Sequence, residues 1–214
     1  TELVSELASR DVKMVLSGDG GDELFAGYNS YASVERRRLD RLVPFFKSVS
    51  RFARGGRVGA YAAARAVDWS SEHHRQRDTF DEAMRQRLTG IPAPEGQFAD
   101  LPPEDADPVT WCQERDLATY LPDDILTKVD RMSMAHSVEV RPPFLDERIV
   151  AFAARLPQRF KIRGTQTKMV LRSLMGKWLP EAVLKKPKIG LDIPIHEWFR
   201  GSLRPLLLET LSEK

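Results

Sequence analysis

The chain has a single cysteine, Cys112, so no intrachain disulfide can form. That scarcity fits a reducing compartment, and a cytoplasmic location is the expectation. No apolar run reaches membrane-spanning length, and the opening Thr1-Glu2-Leu3-Val4 does not resemble a signal peptide. Neither sign of charge dominates. A net charge of +2 gives no strong pull toward nucleic acid or a membrane, and neither is expected as a partner. Of the few histidines, His73 and His74 are adjacent and cannot face one way on a helix. No carboxylate or cysteine stands at ligand spacing beside them, which argues against zinc. His136 and His196 are isolated and suit surface or capping roles. Internal repeats and low-complexity tracts are absent. So is an initiator methionine, which suggests a piece of something longer. Strand signals are scarce as well. One convincing strand, Val12–Leu16, stands against a long series of helices. A lone strand cannot satisfy its own backbone groups, so partner strands are expected that the chain does not obviously supply.

What is present is enough residues, 214, to bury a sizeable core. One stretch organises them: Val15-Leu16-Ser17-Gly18-Asp19-Gly20-Gly21-Asp22-Glu23-Leu24-Phe25-Ala26-Gly27-Tyr28. The apolar run Val12, Met14, Val15 and Leu16 predicts a buried strand. It stops at a glycine-rich loop, after which Asp22 and Glu23 open a helix. Such a geometry lets backbone N–H groups approach an anion closely. Three carboxylates, Asp19, Asp22 and Glu23, would repel a bare phosphate. They suit a site that also holds a divalent cation or an amine, or that moves protons. A solvated acidic turn is the plainer alternative.

Thr1–Arg10 has the spacing of an amphipathic helix, with Leu3, Val4 and Leu7 on one face. Residues Tyr31–Leu42 predict a basic helix, Pro44 opens another, and Tyr61–Val67 form an alanine-rich one. A capping box at Thr79–Glu82 starts a helix ending at Gly90. Residues 90–108 form an acidic loop rich in Pro and Gly. Asp107-Pro108 is an N-cap followed by a first-turn proline. That helix carries Trp111 and Cys112, the latter as a small core residue. Pro122 opens a helix from Asp123 to about His136. Val138–Pro143 is extended, because residues before proline avoid the helical region. Asp146 caps Glu147–Arg155, and Thr165 or Thr167 caps a helix reaching Trp178. Pro180 opens a short helix, Lys185–Leu191 make a basic loop, and two short helices close the chain.

Several clusters could carry chemistry. The basic stretch from Arg36 to Arg57, interleaved with Phe and Tyr, could bind RNA, although a solvated helix face explains it better. Glu139 and Arg141 alternate on an extended segment and so share a face. They could clamp a zwitterion, Arg on a carboxylate and Glu on an ammonium, or form a structural ion pair. Lys185, Lys186 and Lys188 could meet a polyphosphate or simply face solvent.

Three segments together resemble one family. LSGDGGDELFAGY (Leu16–Tyr28), LPDDILTKVDRMSMAHSVEVRPPFLD (Leu121–Asp146) and KPKIGLDIPIHEW (Lys186–Trp198) are similar to the synthetase domain of glutamine-dependent asparagine synthetases. Lys168 and Arg172 also sit in that family's basic helix. The resemblance implies that an N-terminal glutaminase domain releases ammonia. ATP with Mg2+ activates the side-chain carboxylate of aspartate as an adenylate, and ammonia then gives asparagine. It implies that Ser17, Gly18, Gly20 and Lys188 bind ATP and pyrophosphate and that Asp22 lies at Mg2+. Asp19, Tyr28 and Lys188 would be catalytic. Glu139, Arg141 and Arg131 would bind substrate.

The family's other phosphate loop, Ser-Gly-Gly-x-Asp-Ser, is missing, as are the glutaminase cysteine and the first strands of the sheet. The fold expected is therefore mainly α: the C-terminal part of an α/β ATP-pyrophosphatase domain, adenine-nucleotide-hydrolase-like, with one remnant strand. The free strand edge would favour a homodimer or aggregation. Leu191 stands where the family often has an aromatic residue. Relatives that adenylate another carboxylate, for β-lactam formation or peptide cyclisation, carry near-identical motifs and form the alternative within the fold. A non-catalytic helical binding module is the alternative outside it.

Overall fold

The computed structural model describes residues 1–36, 45, 48–49, 73, 82–91, 106–186 and 194–212. The helices expected from Pro44 and over Tyr61–Val67 lie mostly or wholly outside these residues. So do the Thr79 end of the capping box, most of the 90–108 loop, and the lysine loop with Lys188. The chain divides into two units, Thr1–Leu184 and Lys185–Lys214.

The first unit is mainly helical. Helix α1 (Glu2–Ser9) leads into strand β1 (Met14–Leu16). A single helical turn, α2 (Gly21–Leu24), follows the glycine loop, and α3 runs over Asn29–Arg36. Helix α4 covers Glu82–Thr89 and stops at Gly90, whose φ is +68°. Helix α5 (Pro108–Ala118) starts as its sequence dictates, with the Asp107 carboxylate accepting from Thr110 N–H at 2.8 Å and proline in the first turn. A π-helical turn (Leu121–Leu126) continues into α6 (Thr127–Met134). The expected helix over Asp123–His136 is thus wound more loosely at its start and ends two residues sooner. Strand β2 is Glu139–Arg141. Helix α7 (Glu147–Arg155) is capped by Asp146, which accepts from Arg148 N–H at 3.0 Å.

Helix α8 (Met169–Met175) departs from expectation. Neither Thr165 nor Thr167 caps it. Its N-cap is Lys168, in the left-handed region at φ +53°, with no side-chain capping bond. The Thr167 carbonyl instead accepts from Arg172 Nε at 2.9 Å. A short helix, Glu181–Leu184, closes the unit. In the second unit the two expected terminal helices are Ile195–Arg200 and Arg204–Leu211.

The strand expectation needs two corrections. The chain does supply a partner: β1 pairs in parallel with β2, in the register Met14 to Glu139, Val15 to Val140 and Leu16 to Arg141. And β1 is not buried. Met14 is 41% and Leu16 69% exposed, with only Val15 half covered. The apolar run is exposed because two three-residue strands shield little of each other's faces. Both flanking contacts, Glu139 N–H to Lys13 O and Ser17 N–H to Arg141 O, are ordinary ladder bonds of 2.9 and 3.0 Å.

Two apolar clusters hold the glycine loop from below. One gathers Ala26, Tyr31, Val34, Val109, Trp111, Cys112 and Ile162, drawn from α3, α5 and the chain near α8. The other buries Leu24, Phe25 and Ala153 against Phe144, Leu145 and residues of α7 and α8. Cys112 is a fully buried core residue, as its place on the helical stripe predicts.

Candidate active site at the glycine loop

Strand β1 delivers the chain to Ser17 at the carboxyl end of the small sheet. In parallel sheets that end is where ligands gather. Ser17 Oγ donates to Asp19 Oδ2 at 2.8 Å, which fixes the half-buried Asp19 carboxylate over the loop. Gly18 is exposed, whereas Gly20 is buried and left-handed at φ +83°. A Cβ at Gly20 would also run into the Leu145 side chain, so the turn admits only glycine. The α2 turn that follows is four residues long. It is too short for a helix dipole to matter, so the loop's chemistry rests on its side chains and backbone.

The three carboxylates meet three different fates. Asp22 Oδ1 is 2.9 Å from Lys168 Nζ, with the two side chains 17% and 29% exposed. The lysine stem crosses Gly27 so closely that a Cβ there would collide with both the Asp22 carboxylate and Lys168 Cε. Glu23 is 2% exposed and accepts the Tyr28 hydroxyl at 2.6 Å. Burial pushes the Glu23 carboxyl above its ordinary range, although the Tyr28 hydrogen bond partly opposes this. Burial, then the hydrogen bond to Glu23, push the Tyr28 phenol well above its usual value, so it stays protonated and donates. Tyr28 is therefore engaged with Glu23, while Asp19 is held by Ser17.

Helix α5 braces this pair. Gln113 Nε2 donates to the Glu23 carbonyl, and Lys161 Nζ donates to Gln113 Oε1 at 3.2 Å. Burial lowers the Lys161 pKa. Asp116, one helical turn on, accepts the Tyr31 hydroxyl at 2.5 Å and lies 3.1 Å from His73 Nε2. His73 is buried and paired with a carboxylate. Among the described residues no group of three or more His, Cys, Asp or Glu could enclose a metal ion. At the loop, Asp22 and Asp19 offer hard carboxylate oxygens, the second already hydrogen-bonded to Ser17. That suits Mg2+ of the kind held chiefly by water and substrate phosphates, with one or two protein carboxylates.

The middle segment closes the site. A cleft of about 250 Å³ is lined by Asp19 from the loop, by Leu126, Val129, Asp130 and Met134 from the π turn and α6, and by Glu139 from β2. The parallel pairing is what brings Asp19 and Glu139 to one cavity from distant parts of the sequence. Its volume is below the roughly 300–1,000 Å³ of pockets for drug-sized ligands, so it suits a small molecule. Glu139 and Arg141 form an exposed fork at 2.8 and 3.2 Å. Arg141 holds the Glu139 carboxyl below the usual carboxylate range. Arg131 is exposed on α6, while its neighbour Asp130 lines the cleft. Sequence reasoning passed over Asp130, and also over Gln113 and Lys161. For Asp130 the available signal was its helical spacing from Leu126 and Met134, four residues to either side. Gln113 and Lys161 carry none, because their role depends on a tertiary contact.

A family model described as asparagine synthase matches residues 1–214. The chain belongs to the asparagine synthase family. A Mycobacterium tuberculosis protein provisionally named asparagine synthetase (glutamine-hydrolysing) is 36% identical over 92% of this chain and 32% of its own length. The same figures hold for a Mycobacterium bovis counterpart. Asparagine synthetase (glutamine-hydrolysing) 1 of Bacillus subtilis is 27% identical over 98% of this chain and 35% of its own length. The chain thus spans about a third of the length of the curated relatives it matches. No solved structure gives a significant match. Among the described residues, no helix is long and apolar enough to cross a membrane.

Proposed function

We propose that this chain is the C-terminal part of the ATP-pyrophosphatase domain of a glutamine-dependent asparagine synthetase, an ATP-dependent carbon–nitrogen ligase. One observation supports the reading: Asp19 of the glycine loop, which follows β1, lines one cleft with Glu139 of the parallel partner strand. In the proposed reaction an oxygen of the aspartate β-carboxylate attacks the α-phosphorus of ATP, and pyrophosphate leaves. The nitrogen of ammonia, derived from glutamine, then attacks the acyl carbon and AMP leaves. Asp19, oriented by Ser17, takes the proton that the attacking nitrogen sheds. Exposed Gly18 and the left-handed turn at Gly20 let backbone approach the phosphates. Asp22 would hold Mg2+, which would offset phosphate charge when bound. Glu139 and Arg141, already forked together, orient the amino-acid substrate, with Arg131 at the edge. Lys188 supplies positive charge toward the phosphates. Tyr28 acts through Glu23, holding the turn that carries Asp22. The partners on this reading are aspartate, ATP, ammonia or glutamine, and an N-terminal glutaminase domain, with a homodimer as a further expectation.

The test uses the longer protein. Aspartate-dependent pyrophosphate release with ammonia supplied is expected, and Asp19→Asn should cut asparagine formation by about 10²–10⁴-fold. Release that ignores aspartate but follows another carboxylate would move the reading to a relative with the same adenylation chemistry. The 214-residue chain alone should bind Mg·ATP weakly and make no asparagine. Micromolar binding in a calorimetric titration would overturn its status as a part.

A further inference from the structure

We infer that Lys168 is the resident counter-ion of Asp22, a positioning residue that holds the carboxylate in place until a divalent cation competes for it. The inference rests on the reading that Asp22 is the metal-side carboxylate.

Three observations converge on Lys168. Its Nζ is 2.9 Å from Asp22 Oδ1, in a pair mostly withdrawn from solvent. Its backbone is left-handed at φ +53°, a conformation that L side chains other than Asn and Asp rarely adopt. Its stem passes over Gly27 where a Cβ would collide, so the chain keeps a glycine at the crossing. An unfavourable backbone and a bare glycine both persist where they let one ammonium reach one carboxylate. Observed backbone strain of this sort points to a role for the side chain that sits on it. A helix start alone would be served better by Asn or Gly at the same position.

The consequence is competition. An ammonium about 3 Å from Asp22 occupies the approach a divalent cation needs and repels that cation. The loop is therefore held in shape without metal, and the bare ion binds poorly. Phosphates arriving with the ion supply negative charge that can take over the lysine. Lys168 thereby makes the site discriminate against a free cation.

The experiment is Mn2+ titration of the longer protein, without nucleotide, followed by electron paramagnetic resonance. Lys168→Asn keeps a residue that tolerates the left-handed backbone and removes the charge. It should bind Mn2+ at least about tenfold tighter than the parent chain. Lys168→Arg keeps the charge and should bind as the parent does. Unchanged or weaker binding by Lys168→Asn overturns the inference and leaves the reading of Asp22 standing. Equal tightening by Lys168→Arg overturns it too, since charge would not be the cause. If Asp22→Asn binds Mn2+ as well as the parent, the metal-side reading of Asp22 fails, and the inference with it. Should Lys168→Asn be unfolded without metal, Mn2+ is expected to restore its cooperative melting transition. Failure to restore it counts against the inference.

Discussion

The site contains two acid–base pairs of similar length that are built in opposite ways. Asp22–Lys168 is 17% and 29% exposed, spans two distant segments and crosses a glycine with no room to spare. Glu139–Arg141 is 58% and 60% exposed and joins residues two apart on one strand. The first pair ties the glycine loop to the start of α8, so breaking it strands a mostly buried charge. The second costs side-chain order and gains little in water, so it contributes little to stability. A pair that the fold does not need is free to open onto a ligand. On the proposed reading, the inner pair therefore has a structural duty beside its metal-side one, and the outer pair serves recognition.

The strongest way to break the comparison is Gly27→Ala. The added methyl must displace the Asp22 carboxylate, Lys168 Cε or both. A loss of about 3 kcal/mol is expected, roughly a 10 °C fall in Tm for a chain of this size. Calorimetry on a double-mutant cycle with Lys168→Ala sharpens it. With the stem gone, the methyl should cost markedly less, and additivity would show that the crossing is not tight.

Next in size is Tyr28→Phe, which takes the side-chain donor from the buried Glu23 carboxyl. A loss of about 1–2 kcal/mol is expected by chemical denaturation. The pH dependence carries a definite sign. Burial raises the Glu23 pKa above its ordinary 4.5 in the folded chain. Its contribution to stability is thus fully present below about pH 4.5 and is lost as pH rises through the raised folded value. Glu23→Gln, which still accepts the Tyr28 hydroxyl, should flatten that decline. A melting curve series from pH 4 to 7 that falls as steeply in the variant would show that Glu23 is not the titrating group (about the interval in which a raised carboxyl acts).

Much of the outer architecture was legible in the sequence because it follows from local chemistry. Asp107-Pro108 and Asp146 start their helices as such residues do, and Gly90 ends one. Cys112 sits in the core that its helical stripe implied. The strand pairing was not legible. The extended segment holding β2 was marked by its prolines and by the alternation of Glu139 and Arg141, but the strand is three residues long and meets its partner from far along the chain, so nothing local shows what it pairs with. The fates of the three acids were also hidden. Asp22 and Glu23 are adjacent and chemically alike, yet one faces Lys168 and the other is buried against Tyr28. Which is which depends on the direction each takes from a single helical turn and on α5 lying beneath it. The left-handed Lys168 was unreadable for a related reason. Sequence signals for that conformation are Gly and Asn, and a lysine there is explained only by the carboxylate it reaches.

The smallest expected effect on stability tests the other half of the comparison. Glu139→Gln removes the charge that Arg141 grips, but both side chains lie mostly in solvent. The Tm should stay unchanged within error, because water replaces the lost partner for each group. The substrate should register the change. If Glu139 faces a substrate ammonium across the cleft it shares with Asp19, the variant of the longer protein should show an aspartate KM raised about tenfold or more, with a smaller change in kcat. Losing a charge-assisted hydrogen bond of this kind accounts for an effect of that size. A large fall in Tm with KM intact would reverse the assignment. It would make the exposed fork the structural pair and leave recognition to other residues of the cleft, with Asp130 the first to examine.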